Sequence, residues 1–291
     1  MITAPSNISS SDAEGRDASG WSASQYNTIA PFVYSSAYTS AILRLLNAQP
    51  GEKILDFGCG SGEVTLDLAK IVGSTDGGLV VGVDASESMI AKAKTNGIQY
   101  AFVADIQDQP FPSGANIDDQ GQSTSLSDVK FDTVFSNATL HWCKRDPAGV
   151  LRSARSVLKS GGRFVVEMGG YMNNVGVRSA LHRVLRSRGF DAVKLDPWYF
   201  PSIQTYTKLL ESASFKVEHI SLTPRLTPLP GRLYDWLQLF ARKTFLQDIT
   251  DDDEARSILE EVANICAVDC KDEAGNWSVM YVRLRVVGIA P

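Results

Sequence analysis

Apolar residues at Tyr34, Tyr38, Ala41, Ile42, Leu45 and Leu46 recur every three or four positions and predict a helix within residues 31–47. Beyond it, strand and helix signals alternate. KILDF at 53–57 is a short apolar run ending in glycines, and Val64, Leu68, Ile71 and Val72 form the next helical stripe. LVVGV at 79–83 predicts a second strand, followed by a short helix over Met89, Ile90 and Ala93. Residues 100–103 and 131–136 predict strands three and four. Asp146-Pro147 is a helix start, an N-cap acid before a proline at the first helical position, with a stripe at Val150, Leu151, Ala154, Val157 and Leu158. RFVVEM at 163–168 is the fifth strand. Runs such as LVVGV and RFVVEM are apolar without alternation, as in strands covered on both faces. The βαβα order argues for a doubly wound α/β fold.

The polar stretch 113–129 reads as a solvated surface insertion before the fourth strand. After Gly170 the rhythm changes. Helices are expected at 177–188, 202–213, 233–246 and 251–266, and strands at 216–222 and 279–287. Residues 1–20, rich in Ser, Asp, Ala and Gly, have no apolar period and read as a disordered tail, with regular structure beginning near Tyr26.

Composition narrows the function classes. The 291 residues are 44% hydrophobic and 21% charged, which excludes collagen-like, coiled-coil and disulfide-dense chains. With 28 Lys and Arg against 33 Asp and Glu, the chain is a poor partner for a nucleic-acid backbone. No apolar stretch approaches the roughly 20 residues of a membrane span. The N-terminus has neither the basic nor the apolar part of a signal peptide, which points to the cytosol. Cys59, Cys143, Cys266 and Cys270 form no Cys-x-x-Cys, and with three histidines they complete no zinc pattern, so no metal is expected. Cys266 continues an apolar stripe and reads as core.

The sharpest segment is ILDFGCGSG at 54–62, a strand running through a glycine turn into a helix. Small residues let a ligand approach the backbone, and the helix start offers free N–H groups. A dinucleotide fingerprint would want a small residue at position 63, which is Glu63. That glutamate would repel a pyrophosphate, and Asp56 points the same way, so the turn favours a cofactor with a cationic end. Asp84, ending the second strand, can accept both hydroxyls of a ribose. Asp105, ending the third, can accept from an adenine amine. The segment FSNATLHW at 135–142 follows the fourth strand.

DFGCGSG, VDAS, ADI and SNATLHW, in that order and followed by RSVLKSGGRFVVEM, resemble a class I S-adenosylmethionine-dependent methyltransferase. Within it they are similar to the group that includes trans-aconitate methyltransferase and malonyl-carrier-protein O-methyltransferase. The resemblance implies a Rossmann-like seven-stranded sheet, mostly parallel with an antiparallel last strand. It also implies a helical cap from the N-terminal segment and from insertions after strand five and between strands six and seven. Residues 21–49 would be a helical lid, 50–170 the cofactor-binding core, and 171–291 the cap helices and remaining strands of one composite domain.

Carried over residue by residue, Asp56, Gly58, Cys59 and Gly60 would face the methionine part of S-adenosylmethionine. Asp84 would hold the ribose, Ala85 and Met89 the adenine face, and Asp105 and the Ile106 backbone the adenine edge. Asn137 and Ala138 would touch the methionine end, and Tyr26 resembles a tyrosine that closes over the cofactor. The reaction would be an in-line methyl transfer to a small-molecule acceptor, on a carboxylate or hydroxyl oxygen, releasing S-adenosylhomocysteine. His141 is the candidate general base, which a hydroxyl would use and a carboxylate would not need. Trp198, Tyr199, Phe200, Tyr234, Trp236 and Phe240 would cap the site, as an apolar acceptor cavity or as ordinary cap core. The rival readings are a cofactor-binding protein that promotes a non-methylating reaction such as a cyclisation, and a non-catalytic interaction subunit.

Overall fold

A computed structural model describes residues 36–73, 77–119 and 122–291. Tyr26 and the expected tail at 1–20 lie outside the described residues. The first described element is helix α1 (Ser36–Leu46). Strand β1 (Lys53–Phe57), helix α2 (Glu63–Val72), strand β2 (Leu79–Asp84), helix α3 (Glu87–Thr95) and strand β3 (Ala101–Val103) follow. A hairpin, β4 (Asn116–Asp119) and β5 (Gln122–Ser125), precedes β6 (Phe131–Asn137), helix α4 (Pro147–Val157) and β7 (Leu158–Gly169). Helices α5 (Val177–Ser187), α6 (Ala192–Leu195) and α7 (Ile203–Ser212) lead to β8 (Lys216–Pro228). Helices α8 (Leu233–Phe240) and α9 (Asp252–Cys270) precede the closing strand β9 (Ser278–Ile289).

The main sheet has the order β3-β2-β1-β6-β7-β9-β8. β9 runs antiparallel to both neighbours, and the other pairs among β3, β2, β1, β6 and β7 are parallel. This is the expected seven-stranded, mostly parallel sheet with an antiparallel last strand. Both faces are covered, which explains the unbroken apolar runs. On one face Ile54, Val80, Phe135 and Val165 pack under Ile42 and Leu46 of α1 and Leu68 of α2. On the other, Leu55, Val81, Val134 and Phe164 meet Leu151 and Ala154 of α4 and Leu210 of α7. A separate core joins α5, α8 and α9 around Trp198, Trp236 and Phe245 and forms the cap.

Local chemistry sets several boundaries. Asp146 caps α4 by accepting from the Gly149 N–H at 2.8 Å. Ser202 accepts from the Thr205 N–H before α7, and Asp251 caps α9. The stretch 113–129 is more structured than its polarity suggests. It folds into the β4–β5 hairpin, and Ile117 and Leu126 are buried in the main core. The helix expected over 233–246 stops at Phe240, where turns carry Phe245 and Leu246 back into the cap core.

Candidate active site

The strand order reverses between β1 and β6, whose neighbours β2 and β7 lie on opposite sides, and such a crevice is where ligands bind in open α/β sheets. Four strand ends face it. The turn after β1 is pinned from both sides. The Gly58 and Cys59 N–H groups donate to the Val83 carbonyl at 2.8 and 3.0 Å, and the Gly60 N–H donates to Asp84 Oδ2 at 3.0 Å. The Ser86 N–H donates to the other Asp84 oxygen at 2.9 Å. The carboxylate thereby braces both the turn after β1 and the start of α3. Gly62, the N-cap of α2, has no side chain to cap the helix start.

Gly58 has φ +75°, and a Cβ there would lie 2.2 Å from the Thr139 side chain. Thr139 Oγ1 donates to the Gly58 carbonyl at 3.2 Å, tying the β1 turn to the loop after β6. Gly58→Ala is therefore expected to lower stability by about 2 kcal/mol, from left-handed strain plus the clash. Denaturant unfolding of the two chains checks this, and an unchanged midpoint would show that the turn relocates freely. Gly82 on β2 is also constrained, though less, since a Cβ would meet Cys59 Sγ at 2.8 Å.

Asp56 is buried and accepts from Thr65 Oγ1 at 2.7 Å. Burial pushes its carboxyl up to about 7; the Thr65 hydrogen bond opposes this and the Asp84 charge adds to it. Burial, with the Asp84 and Asp56 charges, also pushes the Cys59 thiol up, so Cys59 is a neutral packing group. Ser61 donates to both oxygens of Glu63 at 2.8 Å. Two acids converging on a glycine cradle fit a ligand that is cationic near β1 and carries hydroxyls near β2.

Along β2 and β3, Ala85 is exposed, while Met89 and Ile106 are buried. Asp105 accepts from the Gln107 N–H at 2.9 Å and from Arg145 Nη2 at 2.7 Å. The Arg145 pair is half-exposed and weak, so a ligand amine can compete for that oxygen. At the end of β6, Ala138 has φ +59° and donates its N–H to the Glu167 carbonyl at 2.8 Å, which turns Asn137 and Ala138 at the strand end.

His141 sits on a 3-10 turn after β6 and is 8% exposed. Its Nδ1 accepts from the Gly169 N–H at 3.3 Å, which places the ring proton on Nε2. Burial, aided by the Arg283 charge, pushes its pKa down to about 3. A ring so held is neutral at physiological pH and a poor proton acceptor. It packs 5.3 Å from Trp142 and 5.9 Å from Phe200. Trp142 in turn stacks on Phe240 and meets Trp198 edge-on. Trp198, Trp236 and Phe240 are buried in the cap core, while Tyr199, Phe200 and Tyr234 are partly exposed.

The motif residues on β1, β2, β3 and β6 thus come together at one end of the sheet. Thr65, Gly82, Thr139 and Arg145 escaped the sequence reading. Thr139 lies within FSNATLHW, while Thr65, Gly82 and Arg145 support motif residues from outside the motifs.

Comparison with known proteins gives the class. A methyltransferase domain family matches residues 48–176. An uncharacterised methyltransferase of Schizosaccharomyces pombe is 34% identical over 279 residues, covering 92% of this chain and 96% of the relative. The 2-phytyl-1,4-naphtoquinone methyltransferase of Synechococcus elongatus is 32% identical over 165 residues, 53% of this chain and 58% of that protein. A crystal structure of a Bacillus halodurans protein described as a methyltransferase superposes with a TM-score of 0.57 at 16% identity, covering 88% of this chain and 99% of that one. The chain belongs to the class I S-adenosylmethionine-dependent methyltransferases.

Proposed function

We propose that this enzyme transfers a methyl group from S-adenosylmethionine to a carboxylate oxygen of a small organic acid. The observation that carries the choice of nucleophile is the state of His141, buried, with Nδ1 occupied and its pKa pushed down to about 3. It is the histidine of the FSNATLHW segment, and it is a weak base where a hydroxyl acceptor would want a strong one. A carboxylate arrives already in its nucleophilic form at neutral pH.

The residues present fit the cofactor. Asp84 would accept from the ribose hydroxyls, and Asp105 with the Ile106 backbone would read the adenine edge. Ala85 and Met89 would flank the adenine face. Asp56, Gly58, Cys59 and Gly60 would cradle the methionine part, Asn137 and Ala138 would bound its far end, and Tyr26 would close over it. When bound, S-adenosylmethionine supplies a methyl carbon activated by an adjacent sulfonium. The protein's part is then to align the acceptor oxygen with that carbon and to exclude water, which for well-oriented reactants is worth several powers of ten in rate. Trp142, Phe200 and Phe240 form an aromatic wall beside His141 suited to the acceptor's apolar part. The naphtoquinone relative supports an organic small molecule as acceptor. Among the described residues no helix is long and apolar enough to cross a membrane, and a cytosolic location accords with that.

The test is incubation with methyl-labelled S-adenosylmethionine and a panel of organic acids and alcohols, following S-adenosylhomocysteine and the methylated product. Ester products are expected, with no loss of turnover as pH falls through about 6.5. Methyl ethers formed with a histidine limb that His141→Ala abolishes would replace the carboxylate reading by the hydroxyl one. Failure to bind S-adenosylhomocysteine in calorimetry would remove the cofactor assignment itself.

A further inference from the structure

Beside the acceptor wall lies a buried group of charges that the cofactor assignment leaves unused. Glu167 of β7 pairs in register with Arg285 of β9, and Gly169 pairs with Arg283. On β8, Arg225 pairs with Tyr281, the neighbour of Arg283 on the same face. One carboxylate thus meets three guanidiniums. Glu167 accepts from Arg285 Nε at 2.5 Å, while Arg225 and Arg283 stand 3.6 and 3.7 Å from its other oxygen. The four side chains carry a net charge of two positives in a place where Glu167 is 2% and Arg283 3% exposed.

The excess charge is also short of hydrogen bonds. Among the described residues Arg283 donates none, and the buried Nε atoms of Arg225 and Arg283 have no hydrogen-bond partner. Among the described residues the Arg225 guanidinium donates one hydrogen bond, to the Tyr38 carbonyl at 3.4 Å. Besides Glu167, aromatic rings hold the two guanidiniums. Arg283 lies 4.7 Å over the Tyr281 ring, and Arg225 lies 4.5 Å over Tyr38 and 5.8 Å over Tyr281. Stacking uses the planar faces and leaves the N–H edges available. Burial and the Arg283 charge push Arg225 down to about 10, as expected of cations held without enough counter-charge.

The position identifies the ligand's end of the site. Glu167 accepts from the Ala138 N–H through its carbonyl, and Gly169, opposite Arg283, donates to His141. Asp84, the ribose candidate, lies four strands away across the sheet, about 19 Å at 4.8 Å per strand. We propose that Arg283 and Arg225 form an anion anchor on the acceptor side, and that the acceptor carries a second anionic group, a carboxylate or phosphate, besides the oxygen that is methylated. This rests on the methyl-transfer reading above. The fork of each guanidinium suits bidentate capture of such a group, and the anion would neutralise the charge that Glu167 leaves over.

The test uses the full chain saturated with S-adenosylhomocysteine, titrated in a calorimeter with glutarate, citrate and inorganic phosphate, and with dimethyl glutarate as the neutral control. At least one anion is expected to bind and the diester not to. Arg283→Gln and, separately, Arg225→Gln should each weaken that anion roughly 30-fold, with S-adenosylhomocysteine affinity within twofold of wild type. Arg283→Lys should recover only part of the loss, since it keeps charge without the fork. Anion affinity unchanged in both glutamine variants, or no anion binding to a chain that does bind S-adenosylhomocysteine, would overturn the anchor while leaving methyl transfer standing. A tenfold loss of S-adenosylhomocysteine affinity in the variants would overturn it differently, by showing that the arginines hold the cofactor's own carboxylate. A chain that binds no S-adenosylhomocysteine would bring down the methyl-transfer reading first.

Discussion

Asp84→Ala is expected to weaken S-adenosylhomocysteine binding on the order of 100-fold, because one carboxylate serves two purposes. Its oxygens already fix the Gly60 and Ser86 N–H groups at 3.0 and 2.9 Å, so they hold the glycine turn and the start of α3 in place. The same carboxylate is the proposed partner of the ribose hydroxyls. Charge-assisted hydrogen bonds are worth roughly 1.5–3 kcal/mol each, and water replaces part of what the alanine removes. Asp84→Asn keeps an acceptor for one backbone donor but loses the charge, and a loss of roughly tenfold is expected. Calorimetric titration of the three chains, with unfolding of the apo forms in parallel, separates the two purposes. Near wild-type affinity in the alanine variant would take the ribose role from Asp84. A large fall in apo stability with affinity preserved would leave it a turn-holding residue alone.

The cofactor half of the site was largely legible in the sequence because its chemistry is local. Strand, glycine turn and helix start occupy consecutive residues, so 54–62 carries its own geometry, and the acids at Asp84 and Asp105 fall at strand ends that hydropathy alone locates. The cap at Asp146, ahead of Pro147, was readable for the same reason. The acceptor half was not, because its parts meet only through register. Glu167 and Arg285 are 118 residues apart and become neighbours only when β9 pairs antiparallel with β7. In hindsight RFVVEM holds a signal, an acid inside an otherwise apolar run, and YVRLRVV at 281–287 places two arginines on one face of a strand. A buried acid needs a cation, and two alternate cations need an acid, but the sequence does not say that a third arginine would come from β8. The hairpin at 116–125 was hidden by its polarity, since a few apolar residues in and beside it, Ala115, Ile117, Leu126 and Val129, carry the contact with the core. The role of His141 turned on burial, which the motif around it does not encode.

The two perturbed groups of the site should also write opposing signatures into the pH dependence of stability. His141 titrates at about 3 when folded and near its ordinary value of 6.5 when unfolded. Below 6.5 the unfolded chain therefore takes up a proton that the folded one refuses, and stability is lost as pH falls towards 3, at about 1.4 kcal/mol per pH unit for a fully shifted group. Asp56 does the reverse. Its carboxyl titrates at about 7 when folded against 3.8 when free, so between those values the folded chain keeps a proton that the unfolded one releases. Its contribution is full below 3.8 and is lost as pH rises through 7. Across the shared window the two slopes nearly cancel in the wild type, so each must be exposed by removing the other. Relative to wild type, His141→Phe should lose stability as pH rises between about 4.5 and about 6.5, by about 2 kcal/mol over that interval, and Asp56→Asn should gain a similar amount. Urea unfolding of the three chains at those two pH values measures both differences, with all unperturbed carboxylates cancelling between variant and parent. Parallel pH profiles for His141→Phe and wild type would mean that the folded protein tolerates a charged His141, which would return that ring to contention as a proton carrier. A parallel profile for Asp56→Asn would mean that Asp56 stays ionised beside Asp84, and a cationic ligand would then meet two full charges at the turn instead of one.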